Sequence, residues 1–197
     1  MSLSWTIRAG IPPELAPQAA RLYWHCFGPE LQPWPLSRHL GAALIRALMQ
    51  PRRALAAIAP SGRLIGLAGL RGTEGGFLAL RPQAFREVLG PWRGRLGHGA
   101  TELLMLEGRA SPDLILDGVA VAASWRQRGV ARSLIAQAEV QARDLGHPAL
   151  RVEVRAANGA ALHAWTAMGF RAAYRERMGW PWLSPAHVMR REVRPGD

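Results

Sequence analysis

Hydrophobic and polar positions follow three successive patterns in the second half of the chain. Residues 114–121 are almost continuously apolar, which is typical of a strand buried on both faces. Along 130–145 the apolar residues recur every three or four positions, and this spacing predicts an amphipathic helix. Residues 150–155 then alternate between apolar and charged, which predicts a second strand. The order of strand, helix and strand predicts a parallel crossover unit.

Similar patterns predict the remaining elements. The pair Gly28-Pro29 and the later Pro51 are expected to end the first two helices, because glycine and proline both disfavour helical backbone. The predicted elements are a strand at 5–8, helices beginning at Glu14 and Ser37, a hairpin at 54–70, a helix from Asn158 to Gly169, and a closing strand pair at 171–177 and 187–193. At this length and without an internal repeat, residues 1–197 are expected to form one domain.

The turn between the first strand of the crossover unit and its helix has the chemistry of an anion-binding site. Arg126, Gln127 and Arg128 precede Gly129, whose missing side chain lets a ligand approach the backbone closely. The helix that follows directs free amides and the positive end of its dipole at the same place. The expected ligand is a di- or polyphosphate. The sequence contains neither the nucleotide-triphosphate loop nor the dinucleotide fingerprint Gly-x-Gly-x-x-Gly.

The same turn resembles the pyrophosphate signature of the GCN5-related N-acetyltransferase (GNAT) superfamily. That signature is Gln or Arg, two residues, Gly, one residue, and Gly or Ala, and residues 126–131 match it. A second signature follows at the family's spacing, formed by Asn158, Ala161, Trp165, Gly169 and Phe170. The core signatures span 114–170, and the resemblance covers about residues 110–178. It implies an α+β fold, with a GNAT-type mixed central β-sheet flanked by helices in three α/β/α layers.

The resemblance implies acetyl-CoA as the co-substrate and no metal. Backbone groups of Val119, Ala120 and Val121 would then bind the pantetheine arm and polarise the thioester carbonyl. Around the turn, the implied cofactor-binding residues are Arg126, Gln127, Arg128, Gly129, Val130, Ala131 and Arg132. Asn158 is implied to lie near the pantetheine, while its position also predicts a helix N-cap. Trp165 completes the implied set.

Family chemistry implies direct transfer of an acyl group, usually acetyl, to a neutral amine in a ternary complex. A lysine-type amine of pKa about 10.4 is roughly 0.04% neutral at pH 7, whereas an α-amine of pKa about 7.8 is roughly 14% neutral. Glu153 is the first candidate for the general base, because its strand is similar to that of the ribosomal-protein N-terminal acetyltransferase branch. Asp117 on the central strand is the second candidate. The alternative for both is an ion-paired carboxylate beside the many arginines.

Trp165 departs from the family pattern, which commonly has a tyrosine there as general acid toward the departing thiolate. An indole N–H does not supply a proton usefully, so Tyr174 or water would have to act, or a thiol of pKa about 8.5 would leave unaided. The expected function is an N-acetyltransferase acting on protein N-termini or small-molecule amines. The alternative is a non-catalytic sensor or regulatory module that binds acyl-CoA.

A segment of about forty residues, 72–112, separates the hairpin from the central strand and is longer than the family plan needs. It predicts a helix from about Pro82 and an apolar piece at 103–106, joined flexibly by Gly94, Gly97 and Gly99. This helical insert is expected to cover the acceptor groove or to form a dimer contact, with plain core packing equally open. Trp180 and Trp182 are candidate walls of the acceptor groove.

Composition narrows the partners. The formal net charge of +11 comes with no Lys and a single Asn, which indicates a GC-rich, bacterial genome. The arginines are spread along the chain, so nucleic acid is an unlikely ligand, and a positive field favours encounter with coenzyme A. The single cysteine, Cys26, is expected to pack, and the six histidines lack metal-ligand spacing. Without a signal pattern or a long apolar run, the protein is expected to be cytoplasmic, monomeric or homodimeric, with no membrane partner.

Overall fold

The computed structural model describes residues 4–31, 36–104 and 108–193, and these residues build a seven-stranded sheet. Its strands are β1 (Thr6–Ala9), β2 (Ala54–Ile58), β3 (Leu64–Arg71), β4 (Leu114–Val121), β5 (Ala149–Arg155), β6 (Arg171–Glu176) and β7 (Ala186–Glu192). Their spatial order is β1-β2-β3-β4-β5-β7-β6, with β4 and β5 parallel and the other neighbours antiparallel. The predicted hairpin, parallel crossover and closing strand pair are confirmed.

Helices cover both faces of this sheet. They are α1 (Ala16–Leu31), α2 (Arg38–Leu48), α3 (Pro82–Leu89), α4 (Pro91–Leu104), α5 (Val130–Asp144) and α6 (Gly159–Ala167). One apolar core joins the sheet to α5 and to part of α6, and a second joins it to α1 and α2, so the predicted three-layer architecture is confirmed. Within the described ranges, no helix combines the length and the apolar character needed to cross a bilayer.

The first helix is longer than the sequence predicts, because it continues past Gly28 to Leu31. A Cβ at Gly28 would come within 2.9 Å of the Trp24 ring, and one at Gly41 of α2 would come within 2.0 Å of it. The indole therefore fills the space that side chains at these two positions would need. Packing of this kind outweighs the cost of glycine in a helix, which is about 1 kcal/mol.

The insert contains the helix predicted from Pro82, but the prediction of a flexible joint at Gly94, Gly97 and Gly99 is wrong. All three glycines lie inside α4. A Cβ at Gly94 would come within 2.5 Å of the Phe85 carbonyl oxygen, so this glycine lets α3 and α4 pack closely. The break between the two helices is Gly90, at φ 84°. The predicted apolar piece at 103–106 lies partly outside the described residues, and its described residues, 103 and 104, are the last two of α4.

Strand β4 carries one extra residue in the middle of the sheet. Leu70 of β3 faces Leu116, whereas Ala68 faces Val119, so two steps on β3 correspond to three on β4. Gly118 lies within this bulge and has φ 94°. Along the described residues of its other edge, β4 pairs with β5 only over 114–115, after which the two strands separate. The bulge and the separation open a gap at the centre of the sheet.

Candidate active site

The turn that follows β4 holds two residues in the left-handed backbone region. Gly129 has φ 90°, and Gln127 has φ 58°, a conformation that costs a non-glycine residue about 1–3 kcal/mol. Helix α5 begins at Val130, and no side chain caps the free amides of its first turn. The strained backbone and the uncapped amides leave a concave set of hydrogen-bond donors at this point.

Arginine side chains surround the turn. Arg126 donates from Nε to the Val121 carbonyl at 3.2 Å, and the Arg128 guanidinium lies 5.6 Å from the centre of the Trp125 ring. Both arginines are exposed, as is Arg132 in the first turn of α5. Free amides, the helix dipole and three guanidinium groups together are suited to a polyanion such as a pyrophosphate. The structure thus brings together the turn residues that the sequence assigns to cofactor binding.

The edge of β4 that leads to this turn is free on one side. Residues 119–121 pair with 66–68 of β3, and the described part of β5 does not pair with them. Backbone polar groups of Val119, Ala120 and Val121 that face the gap are therefore available to an extended ligand, apart from the Val121 carbonyl, which accepts from Arg126.

Asn158 and Trp165 make local contacts in α6. The Asn158 Oδ1 accepts a hydrogen bond from the Ala161 amide at 3.0 Å, so the N-cap prediction is confirmed. Trp165 is half-buried and lies edge-on to Phe170, with ring centroids 4.9 Å apart. Contact of either residue with a cofactor stays a prediction.

Asp117 and Glu153 border one cavity of about 810 Å³ between the sheet, α1, α2 and the insert. The residues that line it are Tyr23, Leu31, Ile45, Leu48, Arg71, Leu78, Leu80, Phe85, Thr101, Glu102, Gly108, Asp117, Glu153, Arg155, Met178 and Gly179. The structure therefore brings the two candidate bases together although they lie on different strands.

The two tryptophans proposed as groove walls lie elsewhere. Trp180 is buried and stacks on the exposed Trp182, with ring centroids 5.3 Å apart. Among the described residues that line the cavity, the loop between β6 and β7 contributes Met178 and Gly179 instead. Neither tryptophan is among the described residues that line this cavity, and the role of Trp180 and Trp182 as groove walls stays a prediction.

Arg71 connects the two candidate bases. Its Nη2 donates to Glu153 Oε2 at 2.8 Å, and its Nε lies 3.6 Å from Asp117 Oδ1. The other oxygen of Glu153, Oε1, lies 2.9 Å from Nη2 of the buried Arg151. Both oxygens of Glu153 are therefore in close contact with guanidinium groups, whereas the contact of Asp117 with Arg71 is looser.

The charges continue beyond Glu153. Arg151 also contacts Glu176 at 3.1 Å, and Glu176 lies 3.6 Å from Arg109. Three carboxylates and three guanidinium groups thus alternate in the order Asp117, Arg71, Glu153, Arg151, Glu176 and Arg109. This arrangement compensates the charges of Arg151, Glu153 and Glu176, the most buried members, which matters because an unpaired buried charge is costly.

Burial raises the pKa of three groups on α1 and β4. It raises the pKa of Asp117 above the ordinary carboxyl value of 3.8, and the charge of Glu153 adds to this effect, while Arg71 opposes it. Burial also raises the pKa of Tyr23 well above 10.0, so the hydroxyl stays protonated and donates to the Asp117 carbonyl at 2.9 Å. Burial raises the pKa of the Cys26 thiol, which favours packing over nucleophilic chemistry. In the described ranges, no three His, Cys, Asp or Glu side chains group closely enough to hold a metal ion.

Sequence reasoning missed Arg71, Tyr23 and Arg151. Arg71 ends an otherwise apolar strand, and this isolated charge was the available signal. Tyr23 shares an apolar helical stripe with core residues, which gave no reason to separate it from them. Arg151 occupies a charged position of an alternating strand, and the pattern gave no sign that it would be only 1% exposed.

Comparison with known proteins agrees with this architecture. The model of the acetyltransferase (GNAT) family matches residues 16–170. Among solved structures, an N-acetyltransferase from Staphylococcus aureus Mu50 has a TM-score of 0.68 at 14% identity, covering 94% of this chain and 100% of that one. A GCN5-related N-acetyltransferase from Kribbella flavida has a TM-score of 0.59 at 19% identity, covering 96% of this chain and 98% of that one.

The ribosomal-protein-S18-alanine N-acetyltransferase from Escherichia coli has a TM-score of 0.55 at 17% identity, covering 98% of this chain and 97% of that one. At such identities the solved structures establish the fold alone. No curated protein sequence matches this chain. The family match extends over most of the chain and includes the central strand, the turn at 126–129 and the helix that follows it. The chain therefore belongs to the acetyltransferase (GNAT) family.

Proposed function

We propose that this protein is an N-acetyltransferase that transfers an acetyl group directly from acetyl-CoA to an amine. One observation carries the proposal: β4 and the turn after it hold a half-buried carboxylate, a free backbone edge and a turn of uncapped amides and arginines in a single run. Asp117, residues 119–121 and residues 126–132 occupy these three positions in order. Such a run suits an extended substrate with a reactive carbonyl at one end and a pyrophosphate at the other.

In the proposed reaction, the cavity bordered by Asp117 and Glu153, called the acceptor cavity below, holds the amine. The amine nitrogen attacks the thioester carbonyl carbon, the carbon–sulfur bond breaks, and coenzyme A leaves as a thiolate. The amine proton passes to a carboxylate, directly or through one water. Backbone amides of β4 stabilise the negative charge that develops on the carbonyl oxygen.

Geometry favours Asp117 over Glu153 as the proton acceptor, which reverses the order that the sequence suggests. Both Glu153 oxygens lie within 2.9 Å of guanidinium nitrogens, so the carboxylate is held between Arg71 and Arg151, although its Oε1 accepts no hydrogen bond from the described residues. Asp117 has a looser contact with Arg71, and burial raises its pKa toward the operating pH. We assign Glu153 the role of holding Arg71 in place beside Asp117.

The thiolate must leave without help from residue 165. Trp165 packs edge-on to Phe170 and offers no exchangeable acid. A thiol of pKa about 8.5 is an adequate leaving group near neutrality, so water can supply the proton afterwards. Trp165 also motivates a second candidate, a protein that binds acyl-CoA without turning it over.

Two linked measurements test the proposal. Calorimetric titration with acetyl-CoA is expected to show binding, and a thiol-release assay is expected to show turnover that depends on an added amine. The variants Asp117→Asn and Glu153→Gln are compared with the exposed controls Asp144→Asn and Glu87→Gln. Binding with no thiol release from any amine would support the non-catalytic candidate, and absence of binding would contradict both.

A further inference from the structure

Tyr23 donates a hydrogen bond that joins α1 to the irregular part of β4. Its hydroxyl oxygen lies 2.9 Å from the Asp117 carbonyl oxygen, although the two residues are 94 positions apart in the sequence. The side chain is 4% exposed, and burial raises the pKa of its hydroxyl well above 10.0, so the group remains a donor. A buried hydroxyl whose partner is a backbone carbonyl forms a fixed contact inside the fold.

The Tyr23 ring is held in the orientation that this hydrogen bond needs. The ring centroids of Phe27, on the same helix, and of Phe77, in the segment after β3, lie 4.7 Å and 5.1 Å from its own. On the strand side, a Cβ at Gly118 would come within 3.0 Å of the Tyr23 hydroxyl oxygen. The absence of a side chain at Gly118 is therefore what lets the hydroxyl approach the strand.

The carbonyl that Tyr23 contacts lies in the bulge of β4. Asp117 and Gly118 together face a single residue of β3, Gly69, so the regular ladder is interrupted there. The described part of β5 pairs with β4 only at 114–115 and does not support these two residues from the other side. A bulge redirects the side chains beside it, and contacts from outside the ladder help to keep it in one register. Tyr23 supplies such a contact.

Holding this carbonyl fixes the relation between two parts of the proposed reaction. The Asp117 carbonyl and the Gly118 amide share one planar peptide unit, which connects the candidate base to the free edge at 119–121. The Asp117 carboxyl is held separately, because Arg71 lies 3.6 Å away and the Phe77 backbone forms a hydrogen bond with it. Rotation of the peptide unit would therefore turn the proposed proton acceptor and the proposed thioester-binding edge relative to each other.

From these contacts we infer that Tyr23 is a positioning residue for acetyl transfer: its hydroxyl fixes the bulge of β4 and thereby sets the Asp117 carboxyl against the edge at 119–121. The inference rests on the proposed function, in which Asp117 accepts the amine proton. Tyr23 acts through Asp117, because its hydrogen bond goes to the backbone carbonyl of that residue. A misplacement of about 1 Å between reacting groups lowers a rate by up to about 10²-fold, so a single hydroxyl in this position has a measurable effect.

The variant Tyr23→Phe tests this role, because it keeps both ring contacts and removes only the hydroxyl. We expect kcat to fall about 10- to 100-fold, while the dissociation constant of acetyl-CoA stays within about twofold because the turn at 126–132 is untouched. The matched control is Thr166→Val, which removes an exposed hydroxyl that donates to the Leu162 carbonyl at 2.9 Å. The control is expected to change neither quantity. A kcat of Tyr23→Phe within about twofold of the parent value would overturn the inference.

A double-mutant cycle separates positioning from a general loss of stability. In the Asp117→Asn background no proton acceptor remains to be positioned, so adding Tyr23→Phe is expected to lower kcat further by less than about threefold. If Tyr23 only stabilises the fold, the two substitutions act independently and the full loss appears in both backgrounds. That result, or a parallel loss of acetyl-CoA affinity in Tyr23→Phe, would overturn the inference.

Amide hydrogen exchange measures the bulge without requiring turnover. The amides of 117–121 are expected to exchange about fivefold or more faster in Tyr23→Phe than in the parent, and at the parent rate in Thr166→Val. Unchanged exchange in Tyr23→Phe would overturn the inference even if the parent releases thiol. If exchange accelerates as expected but no amine releases thiol from the parent, the hydrogen bond fixes the bulge as inferred and the proposed transfer is wrong.

Discussion

The anion-binding turn and the acceptor cavity are built by the chain in different ways. The turn, with the strand before it and the helix after it, is one continuous stretch from 114 to 132. The cavity collects side chains from α1, α2, β3, the insert, β4, β5 and the β6–β7 loop. A continuous stretch has its chemistry fixed by neighbouring residues, whereas an assembled cavity depends on tertiary structure. The difference teaches that the proposed cofactor site can be recognised in one stretch of sequence, whereas the proposed acceptor site cannot.

The largest effect on activity is expected in the acceptor cavity. Asp117→Asn should lower kcat/KM about 10²- to 10⁴-fold, because it removes the proton acceptor. Affinity for acetyl-CoA should stay within about twofold in calorimetry, since the pyrophosphate-binding turn is untouched. A parallel loss of acetyl-CoA affinity would show that the two halves are not separable. Unchanged turnover would return the role of base to Glu153.

The same residue is expected to make stability depend on pH. Because burial raises the pKa of Asp117, the folded protein holds this proton more tightly than the unfolded chain does. The stability contributed by the group is fully present below its unfolded pKa and is lost as the pH rises through the folded pKa. The melting temperature of Asp117→Asn relative to the parent should therefore increase as the pH is raised from about 4 to about 8. A constant difference across that range would argue against a raised pKa.

A substitution that strains the backbone of the turn should weaken acetyl-CoA binding. Gly129→Val places a β-branched residue at φ 90°, where strain costs about 1–3 kcal/mol, and acetyl-CoA binding should weaken about 5- to 150-fold. Gly62, at φ 77° in the β2–β3 turn with no atom close to its Cβ position, is the matched control. Gly62→Val should cost similar stability and leave acetyl-CoA affinity unchanged. Loss of affinity in both variants would mean that the effect is general destabilisation.

Charge at the turn should matter less than its backbone. Arg126→Ala is expected to weaken acetyl-CoA binding about two- to tenfold at low salt and less at high salt, because exposed ion pairs are weak and screened. Arg171→Ala on β6 changes the net charge equally at an exposed position of another strand. If the two variants behave alike, the effect comes from the overall positive field and not from the turn.

The smallest effect is expected at the residue that departs most from the family signature. Trp165→Tyr should change kcat by less than about threefold, because the thiolate leaves without an acid at this position. The variant keeps an aromatic ring against Phe170, so its melting temperature reports whether packing is preserved. An increase of tenfold or more would show that the parent enzyme lacks an acid that tyrosine restores.

Sequence patterns predicted the fold well where the information was local. The alternation on β5, the apolar run on β4 and the N-cap at Asn158 all have neighbours along the chain that determine them. The predicted end of α1 was wrong. Trp24 fills the space beside Gly28 and also packs on Gly41 of α2, and this second contact joins two helices. Such contacts leave no periodic trace in a sequence.

In the candidate site, too, local features were predictable from the sequence and tertiary contacts were not. Asp117 and Glu153 were found by their positions on strands, but their relative suitability as a base depends on where Arg71 and Arg151 lie. Neither arginine is adjacent in sequence to the carboxylate whose chemistry it changes most. The cavity itself was equally hidden, because its described lining is collected from seven segments and none of them alone marks a cavity.

Gly118 has a consequence for the way the two substrates share space. On one side, the bulge at Gly118 shapes the strand edge that is proposed to receive the pantetheine. On the other side, Gly118 faces the rings of Tyr23 and Phe27, and a Cβ on residue 118 would come within 2.9 Å of them. Tyr23 in turn lines the acceptor cavity. At this point a single residue, Gly118, separates the proposed sites of the two substrates. Any side chain added there would have to move the helix that borders one proposed substrate site or the strand that borders the other.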